Sequence, residues 1–228
     1  MTEADEPRLS LRDKAIIAAQ GALMAVPFVG SSLEHFIFGP LTELRFRRLE
    51  QTLSEVTESL GAEKAQAAVN ERFATLLESV APELGRSVSE GKRQRFRDLL
   101  INAAELPEES DEWEEAALAS KLLQEMETPA LAILAGIARC EPSARATLTS
   151  QPVSQVVCGE FDYDNPGEPQ HVLPYDWVVV EFWARWLRER RIIHYSSHDA
   201  RGGFGGVAMA DLGRFLVKWT MRDAPAAP

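Results

Sequence analysis

The chain of 228 residues carries 24 basic and 35 acidic side chains, a net charge of −11, and 45% of its residues are hydrophobic. This composition is close to that of an ordinary globular protein, and the length accommodates one large domain or two small ones. The negative charge is concentrated in residues 1–128 and disfavours nucleic-acid binding, because an anionic chain repels phosphate backbones at long range.

The N-terminus and the cysteines indicate where the chain functions. The first fourteen residues are polar and acidic, which is not the pattern of a cleaved signal peptide. Cys140 and Cys158 are the two cysteines, and their spacing is not that of a metal site. These observations predict reduced thiols in a cytoplasmic protein.

Residues 15–39 form an apolar stretch in which Gln20 is the one strongly polar residue before residue 30. That part covers about fifteen residues, whereas a membrane-spanning helix needs ~20. Pro27 interrupts it, and Ser31 with Glu34 fits a capping box, so we expect a hairpin of two short helices. The hairpin could be buried, form an oligomer contact, or reach a membrane after a conformational change. Its candidate contact residues are Leu23, Met24, Val26, Phe28, Phe36 and Phe38.

The first two helices of the middle region are predicted from apolar spacing. The inward-facing residues of the first helix are Leu49, Leu53, Val56 and Leu60. Their 4-3-4 spacing places them on one face, and Gly61 is a suitable C-terminal stop. A second helix is predicted from about Glu63 to Val80, with Pro82 and Gly85 interrupting the chain after it.

A third helix is predicted to begin near Ser89 and a fourth near Asp111. The third carries a basic cluster of Lys92, Arg93, Arg95 and Arg97. Acidic residues surround this cluster, so we expect it to form a solvated face that pairs with neighbouring acidic helices. The acidic residues at the start of the fourth helix favour the positive end of the helix dipole.

A new boundary is predicted at Thr128-Pro129, where Thr caps a nearly all-apolar helix and Pro occupies its first turn. Residues 143–158 look weakly helical and are broken by Pro152. Residues 159–174 contain three prolines and read as a loop.

The run over residues 177–219 has the order helix, short strand, Gly-rich turn, strand and helix, which is typical of a winged helix-turn-helix. Its first helix is expected to bury Val179, Val180, Phe182, Trp183, Trp186 and Leu187 over nearly its whole circumference. If the module binds DNA, the candidate contacts are Arg185, Arg188, Arg190 and Arg191. The aromatic content favours packing against protein over base readout.

The sequence predicts no catalytic, cofactor-binding or metal-ligating residues. Asp162 and Asp164 superficially match a calcium loop, but Pro166 and Leu173 stand where it needs oxygen ligands. His194 and His198 flank a strand end, where that spacing does not bring two imidazoles together. No nucleophile elbow or phosphate-binding loop occurs in the sequence.

These patterns predict a mainly α fold, with an antiparallel helical N-terminal domain and a C-terminal winged helix-turn-helix-like domain with a two-stranded wing. The expected divisions are a polar tail (1–14), an apolar helical hairpin (15–40), a helical bundle (41–128), the winged-helix-like domain (129–220) and a disordered tail (221–228).

The segments IFGPLTELRFRRLEQ, EGKRQRFRDLLINAAEL and LASKLLQEMETPALAIL follow the apolar stretch and precede the winged-helix-like tail. In this layout the chain resembles the abortive-infection alpha-type helical proteins. The resemblance implies a role in bacterial phage defence or growth arrest, with no catalytic residues to carry over.

We therefore expect a non-enzymatic effector or adaptor that acts by protein–protein or membrane interaction through the apolar hairpin, becoming membrane-associated on activation. The alternatives are a DNA-binding transcriptional regulator that uses the winged helix, and a structural oligomer subunit. A protein partner or self-association is expected, with no cofactor and no small-molecule substrate.

Overall fold

The computed structural model describes residues 42–61, 70–87, 89–140, 146–150, 153–158, 171–195 and 204–222. They form two compact units, with the boundary after Ser120. The described residues are mainly helical with one small antiparallel sheet, which confirms the predicted mainly α character. Within these ranges no helix combines the length and the apolar character that a membrane span requires.

The first unit is built from helices. Its elements are α1 (Thr42–Leu60), α2 (Glu71–Arg86), α3 (Glu90–Ala104) and the greater part of α4 (Glu112–Glu125). The helices α1, α2 and α3 pack against one another in all three pairs. The four apolar residues predicted to face inward on α1 are all buried, and Gly61 ends the helix with φ of +77°. Hydrophobic spacing therefore predicted this helix correctly.

The predicted end of the second helix is wrong, because α2 continues through Pro82 to Arg86. Proline removes one backbone donor and normally breaks a helix at a cost of ~3 kcal/mol. Here the turn beyond it buries Leu84 completely, and the N–H of Ser87 donates to the carbonyl of Glu83. Burial of this last turn offsets the missing hydrogen bond.

The basic cluster on α3 pairs with acidic side chains, as predicted. Lys92 Nζ lies 3.9 Å from Glu83 Oε2 on α2, and Arg97 Nη1 lies 3.2 Å from Glu55 Oε2 on α1. Lys92 is only 5% exposed, so its part of the cluster is buried rather than solvated. These contacts use the cations to join helices of the first unit.

The second unit combines helices with a five-stranded antiparallel sheet in the order β3-β2-β1-β5-β4. After the end of α4, its elements are α5 (Thr128–Arg139), β1 (Ala146–Thr149), β2 (Gln155–Cys158), β3 (His171–Val172), α6 (Trp177–Glu189), β4 (Ile193–Tyr195), β5 (Phe204–Met209) and α7 (Asp211–Thr220). The helix α5 contacts β2 and β5 of the sheet and also contacts α6 and α7.

Two expectations about this sheet are wrong. Residues 143–158 are not helical where they are described, because β1 and β2 lie there and pair along Ala146↔Cys158 to Thr149↔Gln155. All four residues of β1 are buried, so the strand lacks the alternation that would have marked it. The strands β4 and β5 pair as predicted, but they are not an isolated ribbon, since β1 continues the sheet beside β5.

The expectation of reduced thiols is also wrong. Cys140 and Cys158 form a disulfide with their Cα atoms 4.9 Å apart, although they are 18 residues apart in the chain. Because β1 and β2 fold back on each other, Cys158 lies opposite Ala146 at the start of β1, near the end of α5. The cysteines therefore give no support to a reducing compartment.

Two glycines permit close approach of elements in the second unit. A β-carbon on Gly136 of α5 would lie 2.6 Å from His171 Cδ2 and 2.7 Å from Val156 Cγ2. A β-carbon on Gly213 of α7 would lie 2.2 Å from the carbonyl oxygen of Ile192. The absence of a side chain at these positions sets the helix-to-sheet spacing.

Candidate interaction surface

The helix α6 is attached to the second unit by a single narrow stripe. Its fully buried residues are Val180, Ala184 and Leu187, which recur at i, i+4 and i+7 on one face. The chain then turns sharply through Arg191 (φ of 58°), and the N–H of Ile192 donates to the carbonyl of Leu187. These contacts fix the helix firmly against α5 and the following strand β4.

The predicted burial of α6 around nearly its whole circumference is wrong. Val180 and Leu187 are buried as predicted, but Val178 is 75% exposed, Phe182 is 60% exposed and Val179 is 37% exposed. The small side chain of Ala184 lets the buried side of the helix, which includes Val180 and Leu187, pack closely. The helix is therefore anchored without burial of its larger apolar residues. An unusually apolar face is left in contact with solvent.

Three aromatic rings extend this exposed face along the helix. Phe182 and Trp183 lie edge to face with centroids 5.3 Å apart, and Trp183 and Trp186 follow at 5.4 Å. Both tryptophans are half-buried. The Arg190 guanidinium caps the row, lying 3.8 Å from the centroid of the Trp186 ring. The α6 face is defined by Val178, Val179, Phe182, Trp183, Arg185 and Trp186.

The four arginines proposed as nucleic-acid contacts are gathered at the C-terminal half of α6, where cations also favour the helix dipole. Two pairings are with acidic side chains, one on α6 itself and one on α4. Arg185 pairs with Glu181 one turn earlier, and Arg190 donates from Nε and Nη2 to Glu125 Oε2 at 3.1 and 3.0 Å. Arg188 and Arg191 are exposed. The four thus lie near the end of α6 in sequence, with the charges of Arg185 and Arg190 balanced by different acidic residues.

The other candidate contacts, Leu23, Met24, Val26, Phe28, Phe36 and Phe38, lie outside the described residues. The α6 face itself was not predicted, although a signal for it exists in the sequence. Val178 and Phe182 are one turn apart, on the side opposite the row formed by Val180 and Ala184. A helix that is apolar on two opposite sides buries one side in its own core and needs a second surface to cover the other.

One histidine in the second unit has a perturbed environment. Burial, and secondly the charge of Arg139, lower the pKa of His171, whose Nδ1 lies 2.9 Å from Arg139 Nη1. In the parts of the chain that the structure describes, His, Cys, Asp and Glu side chains form no group of three that could hold a metal ion. The candidate site is therefore the exposed side of α6, which is apolar and aromatic and has arginines towards its C-terminal end.

No protein-family model matches the chain, and neither a curated protein nor a solved structure is similar enough to indicate a relative. The resemblance to the abortive-infection alpha-type proteins, and the defence role it implies, therefore stay predictions.

Proposed function

We propose that the chain is a non-enzymatic adaptor or effector that binds another protein through the α6 face. The observation that carries the proposal is the exposure of Phe182, a large aromatic side chain that is 60% exposed on a helix held rigidly by its other side. Exposed aromatic residues beside arginine are typical of the centres of protein–protein interfaces. A preformed helix face also loses little conformational entropy on binding.

The same face specifies the chemistry of the partner. Val178 and Phe182 offer aliphatic and aromatic contact, and Arg185, which pairs with Glu181, adds a cation to the face. Arg188 and Arg191 are exposed at and beyond the end of the helix, outside the α6 face. With a rise of 1.5 Å per residue, Val178 and Arg188 are separated by roughly 15 Å along the helix axis. The expected partner is an amphipathic segment whose apolar side chains are followed by carboxylates at that distance.

The proposal is tested by comparing Phe182→Asp with Leu118→Asp, each in the full chain. Leu118 is a matched control because it is also an exposed hydrophobic on a helix, 47% exposed, but lies in the first unit. A protein captured by the wild-type chain and by Leu118→Asp, but lost with Phe182→Asp, is then purified. Its direct binding is measured by calorimetry.

The expected result is a drop in affinity of tenfold or more for Phe182→Asp, since aromatic hot spots contribute roughly 2 kcal/mol or more. Equal binding by both variants would overturn the role of the α6 face. If the captured protein is a second copy of the chain, light scattering shows a multimer that Phe182→Asp dissociates, and the structural oligomer alternative is favoured.

A second candidate function, DNA binding, is favoured by the order of elements around the sheet. The helix α6 is followed by the antiparallel pair β4–β5, and β1 lies on the other side of β5, an arrangement similar to a winged helix. Arg188 and Arg191 are the exposed cations this function would use. It predicts salt-dependent duplex binding that weakens in the Arg188→Ala, Arg191→Ala double variant and is insensitive to Phe182→Asp.

An effector role in bacterial defence would place a further contact in the apolar stretch over residues 15–39. The stretch is apolar enough to seek a partner or a membrane surface, which is the property that motivates the proposal. The test is binding to, and dye leakage from, anionic liposomes by the full chain and by a Phe36→Asp, Phe38→Asp variant. Absence of binding by either protein at any ionic strength rejects membrane action.

A further inference from the structure

The disulfide between Cys140 and Cys158 lies at one margin of the second unit. Cys140 is the C-cap residue of α5, and Cys158 is the last residue of β2. Cys140 is 6% exposed, whereas Cys158 is half-buried, so the two residues differ in their access to solvent. The chain has no other cysteine with which either could exchange.

The disulfide joins α5 to β2, the strand that holds the short edge strand β3 in the sheet. The strand β3 contains two residues and pairs on one side with β2, through Gln155↔Val172 and Val156↔His171. Val172 is 50% exposed at this edge. Short edge strands with few buried contacts belong to the least stable parts of a fold. A covalent link at the end of β2 therefore stabilises the region that would open first.

Other contacts at this margin would survive loss of the disulfide. Val156 of β2 is fully buried and packs against Gly136, and β2 keeps its register with β1. Arg139, the residue before Cys140, keeps its hydrogen bond to His171 on β3. We expect these contacts to keep the unit folded with the sulfurs separated.

We propose that this disulfide is a thiol–disulfide exchange site, at which a dithiol reductant attacks Cys158 and frees the end of β2 from the end of α5. Attack at Cys158 follows from its greater exposure, because Cys140 is a buried residue. The product is a folded second unit with a more mobile sheet edge. This inference does not depend on α6 and stands apart from the proposed docking function.

The reaction proceeds in two balanced steps. The thiolate of the reductant forms a bond to Cys158 Sγ as the Cys140–Cys158 bond breaks, and the electron pair leaves on Cys140 Sγ, which takes a proton from water. The second thiolate of the dithiol then attacks its own partner sulfur in the mixed disulfide and releases the thiolate of Cys158. The dithiol is oxidised to a disulfide as the protein gains the electrons.

The test exposes the full chain, without denaturant, to dithiothreitol and to glutathione at a reducing ratio. Mass spectrometry counts alkylated thiols and locates the trapped glutathione adduct. Hydrogen–deuterium exchange follows residues 155–158 and 171–172, and circular dichroism follows the helices. The control is the Cys140→Ser, Cys158→Ser double variant. It has no thiol that can react and no covalent link, so it shows the effect of losing the link alone.

The expected result is reduction of the folded chain, with glutathione trapped on Cys158 and helical signal retained. Exchange protection at the β2–β3 edge should fall roughly tenfold or more, and equally in the double variant. Three outcomes would overturn the inference: reduction only after denaturant is added, glutathione trapped on Cys140, or loss of the whole unit's protection together with the disulfide. Failure of the double variant to fold would also overturn the inference, because it would show that the unit needs the covalent link.

Discussion

The carbonyl oxygen of Ile192 occupies the place where a side chain on Gly213 would begin, 2.2 Å from the position of a β-carbon there. The same carbonyl accepts a hydrogen bond from the N–H of Ala210 at 3.0 Å, directly before α7. The start of α7 is thus held against the residue that leads into β4. The contact joins the last helix to the chain segment that follows α6.

Replacing Gly213 by Ala should destabilise the second unit by about 1–3 kcal/mol, because backbone rather than a flexible side chain must move. Thermal or denaturant unfolding measures the loss. The matched control is Gly91→Ala on α3, where the nearest atom to a new β-carbon is Ser89 Oγ at 3.9 Å. That variant should be neutral or stabilised by up to ~1 kcal/mol. Equal effects of the two substitutions would contradict the close approach at Gly213.

Truncation should cost much more stability on the buried face of α6 than on its exposed face. Leu187→Ala removes a fully buried side chain and should cost about 2–5 kcal/mol of unfolding free energy. Phe182→Ala removes a larger side chain from the exposed face and should change stability by about 0.5 kcal/mol or less. Urea unfolding of both variants measures the difference. A large loss for Phe182→Ala would mean that the α6 face is covered within the chain itself.

Lowering the pH should destabilise the second unit through His171. Since its pKa is lowered in the fold, the unfolded chain takes up the proton first, so stability present above the ordinary pKa of 6.5 is lost as the pH falls below it. His171→Asn keeps an acceptor for Arg139 but cannot titrate in this range. Unfolding curves between about pH 7 and pH 5 should therefore show a steeper loss for the wild-type chain. Parallel curves for the two proteins would exclude a contribution from His171.

The start of α2 depends on a side-chain cap. Asn70 Oδ1 accepts a hydrogen bond from the N–H of Phe73 at 2.8 Å, and Phe73 is itself buried. Asn70→Ala should lower the stability of the first unit by about 1 kcal/mol. Asn70→Ser retains an acceptor oxygen and should lose much less, as measured by chemical denaturation. If Ser were no better than Ala, the cap would not be the source of the effect.

Sequence patterns predicted the elements whose burial is one-sided. The spacing of Leu49 to Leu60 identified α1 because one face of that helix is buried and the other is solvated. The same reasoning missed β1, where all four residues from Ala146 to Thr149 are buried. A four-residue run that is buried throughout has no period, so its strand character depends on partners distant in the chain.

The α6 face shows a different limit of prediction from sequence. The six apolar residues of this helix predicted burial around nearly its whole circumference, which assumes that the chain covers all of its own apolar surface. The structure buries Val180 and Leu187 but leaves Phe182 exposed. Which apolar residue faces the core depends on the sheet beside the helix, and the helical period alone permits either choice. The disulfide was missed for a related reason, since the hairpin that brings Cys158 back to Cys140 was itself not predicted.

The position of β5 within the sheet also governs how the second unit can assemble. Ala146 on β1 is paired with Val207 on β5, and β4 is joined to the sheet only through β5. During synthesis, β1 and β2 can form a hairpin early, but β4 must wait until residues 204–209 have been made. Until β5 has been made, β1 and β4 each have an unpaired edge in the nascent second unit. Pairing between residues so distant in the chain is also slow, which prolongs this exposure. A chain that stops before residue 204 would leave those edges available for aggregation.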